Sequence, residues 1–164
     1  MRNRQASGIL GETTGKEGGI IRFPAGEANH GICYSSAMQI GILIAIALGG
    51  AIGSLLRYFV AGAIQSPAST GFPIGIFVVN ITGGLLMGII VELSALKLNL
   101  TPEVRAFLTV GILGGYTTFS TFSLDSVLLL QRGAYASAAL YIGGSVVLSI
   151  AALFAGLYLV RTLT

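Results

Sequence analysis

The residues best suited to chemistry lie in one segment, Gly111 to Asp125, which mixes glycines, hydroxyl side chains and two phenylalanines. Gly114 and Gly115 are adjacent, and the hydroxyls that follow compete for backbone carbonyls, so this segment disfavours a regular helix. We therefore expect a break between Gly114 and Thr118 that leaves carbonyl oxygens free to bind a cation. The alternative interpretation is that the glycines and hydroxyls serve only close helix packing.

Phe119 and Phe122 are three residues apart, so they share one face of a helix. Two phenylalanines in an apolar helix usually pack in a core or against lipid. Here they alternate with hydroxyl residues such as Thr118. Because the edge of a phenyl ring has positive quadrupole character, this setting favours a second role, in which ring edges stabilise a dehydrated anion.

Other polar residues occur inside long apolar runs. Tyr141, Ser145 and Ser149 recur every four residues, which predicts one hydroxyl stripe along a helix, and Asn80 places an amide inside another apolar run. Polar groups at such depth are costly and indicate a pathway, although they also join helices by hydrogen bonds. For Asn80 we favour the pathway, and for the stripe both interpretations stay open.

Few ionisable residues accompany these groups. Arg57 lies near the end of the first apolar run, and Asp125 lies in the third. Arg57 either extends to the membrane interface or makes a vestibule attractive to anions. Asp125 is expected to emerge at the headgroup region on the far side of the membrane. From Met38 onward the chain has neither His nor Cys, which excludes zinc sites of His/Cys type, Cys nucleophiles and Ser-His-Asp triads. With no cofactor motif either, we do not expect an enzyme.

These residues require a membrane-embedded scaffold. Of the 164 residues, 54% are hydrophobic and 9% are charged, whereas soluble domains carry about 25% charged residues. Four apolar runs are each near the ~20 residues that cross a bilayer. They extend from about Ile40 to Ala63, Phe72 to Val91, Phe107 to Leu130 and Ala134 to Val160. We predict an all-α membrane protein with four transmembrane helices, the third broken near the middle of the membrane.

Residues 1–37 are Gly-rich, mixed in charge and without periodicity, so we predict a disordered leader followed by one four-helix domain at 38–164. Met38 directly precedes the first apolar run and is a candidate for the true start of the protein. If this leader is genuine, Arg22 lies close enough to the first helix to favour a cytoplasmic N-terminus under the positive-inside rule.

The loop charges are nearly balanced if the chain starts at Met38. One side of the membrane then carries Lys97, Arg105 and Arg161, and the other carries Arg57 and Arg132. The positive-inside rule gives almost no preference for either orientation, so we expect the chain to insert both ways.

Three motifs resemble the Fluc (CrcB) family of fluoride channels. Gly49 to Tyr58 is similar to the family's glycine-rich first helix with its terminal arginine, and Asn80 to Gly83 is similar to its second-helix asparagine motif. The most specific match is Gly114 to Ser123. The resemblance covers about Met38 to the C-terminus and leaves the leader unexplained.

The resemblance implies a dual-topology homodimer in the cell's inner (plasma) membrane, with two antiparallel chains and two fluoride pathways along their interface. By similarity, Phe119 and Phe122 present ring edges to fluoride. The polar part of the implied pathway comprises Asn80, Thr118, Tyr141, Ser145 and Ser149. The implied function is passive export of fluoride from the cytoplasm, which lowers intracellular fluoride.

The same resemblance implies two further features. Arg57 and Asp125 would belong to a vestibule, where Asp125 replaces the usual glutamate. The backbone carbonyls of Gly114 and Thr117 would hold a structural Na⁺ at the centre of the dimer interface.

Two other functions stay open. A small proton-coupled multidrug transporter is also a four-helix, dual-topology dimer, but it needs a carboxylate deep in its first helix, where this chain has none. A non-transporting membrane assembly subunit would use Asn80 and the hydroxyl-rich third helix only for packing.

Overall fold

The computed structural model describes residues 36–65, 71–96 and 99–163, and all regular structure within them is helical. The helices are α1 (Ser36–Ile64), α2 (Ile74–Leu96), α3 (Pro102–Ala106), a π-helical segment (Phe107–Leu113), α4 (Gly114–Tyr116), α5 (Phe119–Gln131) and α6 (Tyr135–Leu163). Ser36 and Ala37, which we had placed in the leader, belong to α1. The rest of the predicted leader, and Lys97 of the charge count, lie outside the described residues.

Within these residues, four helical spans are long and apolar enough to cross a membrane. They are Gln39–Ile64, Ile74–Leu96, Pro102–Gln131 and Tyr135–Leu163. The predicted all-α architecture with four membrane-spanning helices is therefore confirmed. The third span begins earlier than Phe107 because Thr101 caps it, accepting a hydrogen bond from the backbone N–H of Val104, and Pro102 occupies the first turn.

The helices pack as two close pairs, and glycine permits the closest approach in each. A Cβ added to Gly84 of α2 would lie 2.6 Å from the backbone oxygen of Ser149 in α6. A Cβ added to Gly49 of α1 would lie 2.6 Å from the backbone oxygen of Phe107 in the third span. Side chains this small let the helix backbones touch, which supplies packing energy that lipid cannot.

The α2 and α6 helices run parallel along their contact, which we call the α2–α6 seam. Gly84 lies against Ser149 and Gly88 against Leu153, and at the end of the seam Glu92 pairs with Arg161. Contacts on both helices thus advance in the same direction along the chain. The second span continues to Leu96, past the predicted end at Val91, and includes Glu92, whose carboxylate accepts hydrogen bonds from Arg161.

The third span is interrupted halfway along its length. Thr117 (φ −78°, ψ 156°) and Thr118 (φ −150°, ψ 126°) are extended, whereas the residues on both sides are helical. The predicted break is therefore present, at the C-terminal end of the expected segment. Gly114 and Gly115 remain helical, and Gly115 instead lets α1 approach, since a Cβ there would lie 2.6 Å from the backbone oxygen of Gly50.

Candidate functional site

Asn80 holds the break in the third span from the neighbouring helix α2. Its side-chain oxygen accepts a hydrogen bond from the backbone N–H of Thr118 at 2.9 Å, and its Nδ2 donates to the backbone oxygen of Thr118 at 3.2 Å. In a continuous helix that N–H would donate to the carbonyl of Gly114. The carbonyl of Gly114, an exposed residue, consequently loses its helical donor. Asn80 is therefore both a packing residue and a polar group at the break.

Arg57 contacts the same break from α1. Its Nη1 donates to the backbone oxygen of Thr117 at 3.4 Å, and the residue is only partly exposed. This contact directs the guanidinium toward the middle of the third span. The sequence carries no signal for this contact, because it joins residues 60 positions apart.

The two phenylalanines beyond the break have different surroundings. Their ring centroids are 5.5 Å apart with planes inclined by 40°, as their spacing predicts. Phe122 is 9% exposed and packs 5.3 Å from the ring of Tyr141, whereas Phe119 is 78% exposed. Within one chain, therefore, Phe119 presents its ring to an uncovered surface while Phe122 belongs to the core.

Thr118 shapes the start of α5. Its Oγ1 accepts from the backbone N–H of Thr121 at 3.3 Å and lies 3.1 Å from the hydroxyl of Ser120. This is an N-cap, which satisfies one of the free N–H groups at a helix start. The residue is buried, so its hydroxyl stabilises the break and also borders the space beside it.

The predicted hydroxyl stripe on α6 lies on a buried face. Tyr141 is fully buried and Ser145 is 5% exposed. The hydroxyl oxygens of Ser145 and Ser149 are both buried, and neither has a hydrogen-bond partner among the described residues. An unsatisfied buried hydroxyl costs about 1–3 kcal/mol, so these two hydroxyls would gain free energy from any further hydrogen-bond partner.

Most of these groups border a common cavity of about 390 Å³, which we call the groove, whereas the predicted residues Tyr141 and Gly114 are not part of its lining. Its lining brings together the predicted residues Asn80, Thr117, Thr118, Phe119, Phe122, Ser145 and Ser149. The remaining lining residues include Gly83, Met87 and Leu153. The groove thus combines amide and hydroxyl groups with two phenyl rings and has no charged side chain in its lining.

A second and larger cavity of about 740 Å³, the vestibule, is lined by residues of α1, α2 and α5 and by described residues that flank these helices. Its lining includes Arg57, Asp125, Gln65 and Arg132. The Tyr141 hydroxyl donates to the Asp125 carboxylate at 3.3 Å, and Tyr141 lies one helical turn before Ser145 of the groove. Asp125 therefore connects the vestibule lining to the α6 stripe, which the sequence did not predict.

Two polar pairs were missed from the sequence. The hydroxyls of Tyr116 and Thr82 lie 3.1 Å apart, joining the last helical turn before the break to α2. Glu92 accepts two hydrogen bonds from the Arg161 guanidinium, at 2.5 and 3.4 Å. The second pair could have been inferred, since both residues close parallel helices at the same end of the bundle.

Residues 44–157 match the family model described as CrcB-like protein, Camphor Resistance (CrcB). The chain belongs to the CrcB family. The family assignment expected from the three motifs is thereby confirmed. The matched region contains Arg57, the break and both cavities' predicted residues, while Arg161 lies beyond it.

Several curated members of the CrcB family are similar to this chain. A protein of Nitrobacter winogradskyi named fluoride-specific ion channel FluC is 49% identical over 126 residues, which are 77% of this chain and 100% of that protein. A protein of the same name from Agrobacterium fabrum is 53% identical over 118 residues, 72% of this chain and 94% of its own. Another from Ruegeria sp. is 52% identical over 117 residues, 71% of this chain and 91% of its own.

Proposed function

We propose that this chain forms a fluoride-selective channel of the plasma membrane, a multi-pass protein that lets fluoride leave the cytoplasm passively, and that it is not an enzyme. Its membership of the CrcB family and its similarity to proteins named fluoride-specific ion channels support this function. The observation that carries the proposal is the pair of buried, unpartnered hydroxyls of Ser145 and Ser149 in the groove.

The groove suits the chemistry of a small anion. Fluoride is tightly hydrated, so its passage requires donors that replace water in a narrow route. Ser145 and Ser149 offer hydroxyl donors, and neither has another partner among the described residues. A route without lysine or arginine in its lining avoids holding the ion too firmly to release it.

The aromatic residues complete this route in the proposal. Phe119 and Phe122 both line the groove, and their tilted rings can direct positively polarised edges toward the ion. Asn80 adds an amide to the groove lining. Tyr141 is buried between the two cavities in this proposal, because its hydroxyl donates to Asp125, which lines the vestibule together with Arg57. Fluoride would move from the vestibule past the hydroxyl stripe to the phenyl edges, driven by its electrochemical gradient.

We further propose that two copies of the chain pair as an antiparallel homodimer. The break leaves Gly114, Phe119 and Ser120 exposed, and polar backbone at membrane depth persists only where protein or a wet cavity covers it. A second copy would cover this surface and turn each groove into an enclosed pathway. The near balance of loop charges supports insertion of the two copies in opposite orientations.

A structural Na⁺ at the centre of that dimer fits the donors at the break. Hard cations prefer oxygen ligands, and the carbonyl of Gly114 has lost its helical donor, while that of Thr117 has a 3.4 Å contact with Arg57. One chain supplies two carbonyls, so a twofold pair would supply four. A Na⁺ bound by these oxygens would supply the positive charge that stabilises carbonyl groups deprived of a helical donor.

Fluoride efflux from liposomes tests the proposed function. The purified full chain is reconstituted with internal fluoride, and an external fluoride electrode records its release. We expect efflux that is unaffected by an imposed proton gradient, with little chloride released under the same conditions. Drug–proton exchange would instead identify a multidrug transporter, and absence of any transport by a correctly assembled dimer would identify a structural subunit.

A further inference from the structure

Arg132 is an exposed residue of the vestibule lining and lies close to the residues that lead into α2. It follows α5 directly as the C-cap residue, and Gly133 after it adopts a left-handed conformation with φ 72°. A Cβ added to Gly71, in the connection before α2, would lie 3.3 Å from Nη1 of Arg132. The guanidinium therefore reaches from the turn between α5 and α6 to the start of α2.

The vestibule joins Arg132 to the break in the third span. Arg57, in the same lining, donates to the carbonyl of Thr117 at the break. Asp125, two helical turns before Arg132, accepts the hydroxyl of Tyr141. The formal charges of this lining are two cationic and one anionic, so the cavity carries net positive charge.

Arg132 and Arg57 differ in the interactions that their guanidinium groups make. The Arg57 guanidinium makes a hydrogen bond to a carbonyl, whereas Arg132 is exposed and takes part in no salt bridge among the described residues. A charge at a cavity mouth with apolar walls acts on ions before they enter, because the walls focus its field into the opening.

We propose that Arg132 is the anion-collecting residue of this channel, which raises the local concentration of fluoride at the vestibule mouth and sets the ionic-strength dependence of flux. This inference rests on the proposed fluoride channel. A purely structural role, in which Arg132 only holds the end of α5 against Gly71 before α2, makes a different prediction. The attraction between Arg132 and distant fluoride is screened by salt, because the Debye length falls from about 30 Å at 0.01 M to about 3 Å at 1 M. A direct structural contact of Arg132 is much shorter than these lengths and is barely affected.

The experiment compares fluoride efflux by the full chain and by Arg132→Gln in phosphatidylcholine liposomes, which carry no net lipid charge. Ionic strength is set on both sides with an impermeant salt, at about 0.01 M and about 1 M. We expect Arg132→Gln to be about threefold slower than the unmodified chain at low ionic strength and indistinguishable from it at high ionic strength. Arg132→Glu should be slower still at low ionic strength, and Arg132→Lys should match the unmodified chain.

Matched variants separate charge from structure. Arg105→Gln removes the same charge from an exposed position on α3 outside the vestibule lining, and its efflux should equal that of the unmodified chain at both ionic strengths. Arg132→Met is a second neutral variant, to be measured if Arg132→Gln does not assemble. Equal slowing at both ionic strengths, or no slowing at low ionic strength, would overturn the inference while leaving the channel intact. No efflux from the unmodified chain would overturn the proposed function itself.

Discussion

The α2–α6 seam and the break in the third span meet in the same groove but are stabilised in opposite ways. Along the seam, both helices are continuous and keep their own backbone hydrogen bonds, so glycine contacts such as Gly84 on Ser149 suffice to join them. At the break, the helix gives up backbone hydrogen bonds, and side chains from other helices replace them. Asn80 bonds to Thr118, and Arg57 bonds to Thr117.

This difference explains how a rigid scaffold and a polar site coexist in a small bundle. Gly84 lies one turn after Asn80, so the same face of α2 that contacts the seam also carries the side chain that holds the break. The seam fixes Ser149 opposite α2, and Asn80 fixes Thr118 opposite α2 as well. Helix α2 is therefore the common reference that positions both walls of the groove.

The largest expected effect comes from forcing the seam apart with Gly84→Val. The added Cβ would lie 2.6 Å from the backbone oxygen of Ser149, and neither helix backbone can move away without breaking the contact. We expect a loss of about 3 kcal/mol or more, with little assembled protein by size-exclusion chromatography. Gly143→Val on α6 is the matched control, because a Cβ there meets nothing within 4 Å in the single chain. Normal assembly of Gly84→Val would contradict the seam's role as a rigid reference.

The next effect comes from releasing the break with Asn80→Ala. Both the N–H and the carbonyl of Thr118 would lose their partner, which we expect to cost about 2–4 kcal/mol in thermal unfolding and to reduce fluoride efflux strongly.

Comparing stability with efflux distinguishes the two interpretations of Asn80 that the sequence left open. Reduced stability together with reduced efflux assigns it to the break. Unchanged stability with reduced efflux would assign Asn80 to the pathway alone and would contradict a stabilising role for its two hydrogen bonds to Thr118.

The sequence predicted features that depend on composition and on periodicity within one helix. The four spans follow from apolar length, the α6 stripe from the four-residue spacing of Tyr141, Ser145 and Ser149, and the break from residues that weaken a helix. The exact place of the break was not predictable, because Asn80 on another helix determines it.

Contacts between helices could not be predicted from the sequence either, because they also depend on residues of other helices. The bond from Arg57 to Thr117 and the bond from Tyr141 to Asp125 depend on how helices are rotated and shifted against one another, which periodicity within one helix does not specify. The unequal burial of Phe119 and Phe122 is a further case, since their shared face spans the edge of the core.

A smaller and more selective effect is expected for Phe119→Ile. Because the Phe119 side chain is 78% exposed in the single chain, its replacement removes few contacts within that chain, and we expect the fold to be preserved. In the proposed dimer the second copy covers this position, and isoleucine keeps an apolar side chain there, so we expect the dimer to form as well. Fluoride efflux should fall by about tenfold, since an aliphatic side chain has no positively polarised ring edge. Phe122→Ile provides the comparison, because Phe122 packs on Tyr141 and its loss should lower stability as well as efflux. Normal efflux by Phe119→Ile would remove the ring-edge role.

The smallest expected effect is also the one in which stability and transport change in opposite directions. Ser145→Ala removes a buried hydroxyl that has no partner among the described residues, so we expect unfolding stability to rise by about 1 kcal/mol while fluoride efflux falls severalfold. Ser126→Ala is the matched control, since that buried hydroxyl donates to the backbone oxygen of Phe122 at 2.7 Å and lies outside the groove lining. Its removal should leave efflux unchanged without the gain in stability. Thermal melts and electrode efflux on the same preparations measure both quantities. If Ser145→Ala loses stability instead, its hydroxyl serves helix packing, and the stripe belongs with the seam rather than with the ion pathway.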